Sequence, residues 1–211
     1  MTFTILFVGS RDVGRGPLAA ALTARELRRI WPRSADEVAV LSAGIDAAAW
    51  MTVPIPLETV AERRGLDLSA HRATGMSAAL AERADLVLTM TRGQRAQLVL
   101  QHPALRTRTF ALIELTSLLQ DAITAPRRQT IGRGERLETK LRLVVTAAAA
   151  RQRSAKAPAD EHQWDVFDPY GYSLDIHETV AAMLDAATHA LVGEVAVLTG
   201  TRAAVGASRT A

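Results

Sequence analysis

The chain has 211 residues, 48% of them hydrophobic, with 25 Lys and Arg against 22 Asp and Glu and a formal net charge of +3. That length buries one sizeable core and favours a single domain. The complete absence of cysteine excludes disulfides, thiolate metal sites and a cysteine nucleophile together.

The basic excess comes from arginine, since Lys140 and Lys156 are the lysines. It is scattered among acids, with no long basic run and no interleaved aromatics, which argues against nucleic acid as a partner. The N-terminal MTFTILFVG lacks the basic start and long apolar run of a signal peptide, and no membrane span is expected. The expectation is a cytoplasmic protein without a membrane partner.

In chain order, the apolar run over 3–8 predicts a strand buried on both faces of a parallel sheet. A helix is expected from Pro17, with Gly16 as its cap and Leu18, Ala21, Leu22 and Ile30 on a core-facing stripe. Residues 38–41 predict a second strand running into SAG, and 56–64 a helix stopped by Gly65. DLVLTM, 85–90, predicts a third strand, followed by a helix over 93–101. A fourth strand is expected over 109–113, then a short helical LTSLLQ. Strands alternating with helices specify a parallel sheet wrapped by right-handed crossovers. Composition shifts over 125–162, predicting an extra helix over 135–153 between two mobile connections. A long final helix is expected over 174–198, with Ile176, Val180, Met183 or Leu184, Ala187 and Leu191 on one face. One domain over 1–199 and a disordered tail over 200–211 complete the expectation.

In such a fold ligands sit beyond the carboxyl ends of the strands. GSRDVGRGP, residues 9–17, lies at such an end, where the first strand gives way to a helix. It has the form of an anion-binding loop with no obvious reactive side chain, because helix N-termini and successive backbone N–H groups attract anions.

This stretch resembles the signature of the low-molecular-weight protein tyrosine phosphatase family, in which an apolar strand runs into C-x5-R-S-P. Arg15 and Pro17 match, and the nucleophile position is Gly9. Further matches follow in order: LSAG at 41–44, GLDLSAHRA at 65–73, ADLVLTMT at 84–91, FALIEL at 110–115 and FDPYG at 167–171. The resemblance implies a four-stranded parallel sheet with helices on both faces, to which this chain adds the extra helix before DPYG. It also implies a reaction in which a thiolate attacks phosphorus, backbone amides and an arginine clamp the oxygens, and an aspartic acid protonates the leaving group. The matching residues are Arg15 for the clamp and Asp168 for the acid. Gly9 carries no nucleophile, so ordinary phosphatase activity is not expected, and arsenate reduction, which needs thiols, is excluded.

Three more positions depart from the family pattern. Gly16 replaces the serine or threonine after the arginine, and Asp12 replaces an asparagine that pins the loop; Arg11 stands where the family usually has glycine. A carboxylate aimed into the loop would repel a phosphate dianion, and the sequence leaves the direction of Asp12 open. The candidates to face an anion are Ser10, Arg11, Val13, Gly14 and Arg15, with Trp164, Tyr170 and Tyr172 as an aromatic wall. The alternative readings are a relic turn, a packing cluster of aromatics, and substitute chemistry with Ser10 or Asp12 as nucleophile. The five histidines lack metal-ligand spacing, so neither a metal nor a cofactor is expected, and His71 reads as structural.

The expected function is a catalytically inactive, pseudophosphatase-like protein that binds an inorganic anion or a protein partner, such as a tyrosine kinase or phosphotyrosine protein. A phosphatase with altered, non-cysteine chemistry and a structural or homo-oligomeric role are the alternatives.

Overall fold

A computed structural model describes residues 2–125, 130–132, 134–155, 160 and 162–201. Four parallel strands, β1 (Phe3–Gly9), β2 (Val38–Gly44), β3 (Leu86–Thr89) and β4 (Thr109–Ala111), form one sheet in the order β2-β1-β3-β4. Every residue of β1, β3 and β4 is buried, as continuous apolar runs in a parallel sheet require. Alternation along β1 divides its side chains: Phe3, Ile5 and Phe7 enter the larger core, and Leu6 and Val8 the smaller one behind the sheet.

The helices are α1 (Arg15–Ile30), α2 (Ile55–Glu62), α3 (Ala78–Arg83), α4 (Arg92–Gln101), α5 (Leu112–Thr124), α6 (Leu137–Ser154) and α7 (Leu174–Leu198). Helices α1, α2, α5, α6 and α7 supply the larger core, while Ala81 of α3 and Leu98 of α4 close the smaller one. Because β2 and β3 flank β1 on opposite sides, chain order reverses at β1. The loop that follows β1 therefore opens at the crevice of the sheet.

Several boundaries differ from expectation by a residue or more, and three differences bear on the packing. Helix α1 begins at Arg15 with Gly14 as N-cap, two residues before Pro17. Proline remains tolerated there because the first four N–H groups of a helix have no internal partner. Strand β4 ends at Ala111, and Leu112 and Ile113 belong to α5, because the Glu114 carboxylate reaches back to accept the Ala111 N–H at 3.0 Å. The short α3, capped by Ser77, was not anticipated.

The extra helix is α6, which buries Leu137, Leu141, Val144, Val145, Ala148 and Ala149 in the larger core. Its Arg142 pairs with Asp85 at the start of β3, and Asp85 accepts the Thr4 N–H at 2.8 Å. Much of both its connections lies outside the described residues. Helix α7 is long and apolar enough by length and composition to cross a membrane. It nevertheless packs as a core helix, with Val180, Leu184, Ala187 and Leu191 buried and Met183 turned outward. Gly200 and Thr201 close its end, where Thr201 accepts from Trp31 Nε1 at 3.1 Å. The expected disordered tail otherwise lies outside the described residues.

Candidate functional site

The loop after β1 is held from below. Ile45 and Asp46 donate their N–H groups to the carbonyls of Gly9 and Ser10 at 3.0 and 2.8 Å. Gly44 permits that closeness, since a Cβ there would stand 2.7 Å from the Ser10 carbonyl oxygen and 2.8 Å from the Arg11 carbonyl carbon. The glycine of SAG is thus required by the approach of another backbone.

Asp12 adopts φ 57°, within the left-handed region that Asn and Asp visit more readily than other side chains. Its carboxylate is fully buried and bonded to the 71–74 segment: Oδ2 accepts the Thr74 N–H at 2.9 Å and lies 3.4 Å from His71 Nε2. His71 Nε2 donates to the Asp12 carbonyl at 2.7 Å, which fixes the proton on that nitrogen. The hydrogen bond to the Asp12 side chain raises the His71 pKa above its ordinary value, against the opposing effect of burial. Asp12 Oδ1 is buried without a hydrogen-bond partner, and a Cβ on Gly16 would lie 3.5 Å from it. The carboxylate therefore pins the loop to the 71–74 segment, as the resemblance implies for asparagine.

Above the loop, Arg15 is buried and its guanidinium is shared between two groups of the segment preceding α7. Nη1 donates to the Val166 carbonyl at 2.6 Å and Nη2 to Asp168 Oδ2 at 2.8 Å. Burial lowers its pKa, opposed by the nearby Asp168 and Asp165 charges. Asp168 Oδ1 accepts the Tyr170 N–H at 3.3 Å. Arg11 lies over the Tyr170 ring, 4.2 Å from its centroid, in cation–π geometry at the rim. Beneath, the buried His177 carries a pKa lowered by desolvation and bonds the Pro169 backbone.

Ser10, Arg11, Val13, Gly14 and Arg15 line a single cavity of about 20 Å³, together with Gly9, Asp12, Gly16, Asp168 and Tyr170. A Cβ added to Gly9 would meet no heavy atom within 4 Å, so the nucleophile position is open space at the cavity. Of the three aromatic candidates, Tyr170 alone lines this cavity. Trp164 stands beside Arg92 in another recess, and Tyr172 packs edge-on against Phe167 at 5.2 Å. Ser10 Oγ accepts from Gln94 Nε2 at 3.0 Å, so its partner is an amide donor and not a base.

Sequence reasoning missed Gln94, Val166 and His177. Gln94 was legible as the third helical residue after the Thr91 cap, whose capping box it completes. Val166 acts through its carbonyl, which no side-chain pattern encodes.

Comparison with known proteins agrees with this geometry: residues 4–126 match the family described as low molecular weight phosphotyrosine protein phosphatase. The chain belongs to this family. A probable low molecular weight protein-tyrosine-phosphatase, EpsP, of Ralstonia nicotianae is 35% identical over 132 residues, covering 62% of this chain and 83% of that one. Among solved structures, the low molecular weight protein tyrosine phosphatase of T. tengcongensis superposes with a TM-score of 0.63 at 20% identity, over 91% of this chain and 99% of that one. The tyrosine phosphatase Wzb of Escherichia coli K30, solved in complex with sulphate, gives a TM-score of 0.59 at 22% identity, over 92% and 98%. Within this family the chain is a degenerate member: it has no cysteine, and the thiolate on which the family's chemistry depends is gone.

Proposed function

We propose that this phosphatase-fold protein is a non-catalytic binder of oxyanions, and of phosphorylated tyrosine on a cytoplasmic protein partner such as a kinase, at the loop 9–15. The observation that carries this reading is the pairing of Arg15 with Asp168 while Asp12 Oδ2 is taken up by the Thr74 N–H. The cavity has room for about one water as it stands. An oxyanion enters by taking the place of the Asp168 carboxylate on Arg15 Nη2, while the Val166 carbonyl keeps Nη1 in position. Loop amides at the α1 N-terminus then supply further donors, and Tyr170, with Arg11 against its face, borders an aryl group. Asp168 thus competes with the ligand for the buried guanidinium.

Substitute chemistry is the weaker reading. Asp12 Oδ2 is held by the Thr74 N–H, and Ser10 Oγ is hydrogen-bonded by an amide donor, whereas a serine nucleophile needs an adjacent base.

Calorimetric titration with sulfate, phosphate and a phosphotyrosine peptide tests the proposal. Binding of at least one is expected, abolished by Arg15→Ala and strengthened by Asp168→Asn, which removes the competing charge. Absence of heat with all three ligands, in wild type and Asp168→Asn alike, refutes it. Turnover of an aryl phosphate that disappears in Ser10→Ala would favour the enzymatic alternative.

A further inference from the structure

A second recess, of about 360 Å³, is walled by α4, α5, α6, Trp164 and the residues before β4. It gathers four arginines, Arg92, Arg95, Arg106 and Arg153, around Glu114 and Trp164. Bringing like charges into one concave space is unfavourable unless something neutralises them, and such a recess focuses positive potential.

Glu114 supplies one negative charge against these four arginines. Its Oε2 accepts the Ala111 N–H at 3.0 Å and lies 3.9 Å from Arg95, and its Oε1 accepts from Gln152 Nε2 at 2.9 Å. Arg95 also donates Nε to the Thr109 carbonyl at 2.9 Å, which fixes its position on the wall. Arg106 and Arg153 are exposed and make no ion pair with any described residue. Arg153 and Gln152 come from α6, beyond the residues that match the family. The recess therefore depends on α6 and shares no lining residue with the phosphatase loop.

We propose that this recess is a second anion site, taking a small phosphorylated ligand with at least two oxyanion groups. Guanidinium groups bind phosphate oxygens through paired, charge-assisted hydrogen bonds, and arginines presented from α4, α6 and the 106–107 turn can engage more than one such group at once. The bounded volume fits a small molecule. The Trp164 indole, 5.7 Å from the Arg92 guanidinium, is an optical reporter in the wall.

The test is calorimetric titration of the full chain with pyrophosphate at low ionic strength, with Trp164 fluorescence followed in parallel. A site is expected that is distinct from any binding at the loop, retained in Arg15→Ala and weakened about tenfold or more in Arg106→Ala/Arg153→Ala, which removes two charge-assisted contacts from exposed positions. The fluorescence change should vanish in Trp164→Phe while the heat persists. Three results overturn the proposal: no pyrophosphate binding to the wild type; binding lost in Arg15→Ala but untouched in the double variant; or binding of a glutamate-rich peptide with pyrophosphate silent. Because Arg15→Ala serves as the control, failure here and failure of the loop as an anion site are read separately.

Discussion

Substituting Asp12 separates the three roles that the structure gives it. The side chain accepts the Thr74 N–H, supports a protonated His71, and tolerates a left-handed backbone. Asp12→Ala removes a hydrogen bond to a charged acceptor, about 1.5–3 kcal/mol, and places a Cβ-bearing residue without local hydrogen bonding at φ 57°, about 1–2 kcal/mol. The expected loss is about 3–5 kcal/mol. Asp12→Gly relieves the backbone cost and loses the hydrogen bond, so it should fall about 1 kcal/mol short of the alanine loss. Asp12→Asn keeps both features, and its amide can replace the orphaned Oδ1, so stability should stay within about 1 kcal/mol of wild type. Urea unfolding at pH 7 measures all three. NMR titration should show the His71 pKa falling towards about 6.5 in Asp12→Asn. The raised folded pKa means that the His71 contribution is full below about 6.5 and is lost as pH rises through the folded value. The wild-type advantage over Asp12→Asn should therefore be greatest at acidic pH. Asp12→Asn as damaging as Asp12→Ala, or sulfate affinity raised tenfold in Asp12→Asn, would refute the claim that this carboxylate acts as a brace to Thr74 and His71.

Gly44→Ala should destabilise by about 1–3 kcal/mol and abolish sulfate binding, because its Cβ meets the loop backbone at 2.7–2.8 Å; chemical denaturation and calorimetry check both. Gly9→Cys should fold normally, since its Cβ meets no neighbour within 4 Å. Arg15 and the α1 N-terminus should lower its thiol pKa below about 8.5, read from the pH dependence of iodoacetamide alkylation. Burial pushes Glu194 up to about 7, against about 4.3 in an unfolded chain. Between those values the unfolded state releases its proton first, so stability falls as pH rises. Glu194→Gln should accordingly raise the melting temperature relative to wild type at pH 8 and show little difference at pH 4.

The sequence by itself determined the architecture and the missing chemistry. Apolar runs at 3–8 and 85–90 specify strands buried on both faces, because only a covered parallel sheet accommodates such runs. The stripe along 174–198 specifies a core helix, although Met183 and Leu184 competed for one place until packing against α1 and α5 turned Leu184 inward. Gly9 and the absence of cysteine needed no coordinates, since a residue without a side chain cannot attack phosphorus. Tertiary structure alone decided the direction of Asp12, because its partners, Thr74 and His71, are about sixty residues away and act through a backbone N–H and a ring nitrogen. It likewise divided the aromatics, leaving Tyr170 at the loop and moving Trp164 to a separate recess. That recess could not be read locally: Arg92, Arg106 and Arg153 are scattered along the chain and look like solvated surface until α6 folds against α5 and brings their charges to one cavity.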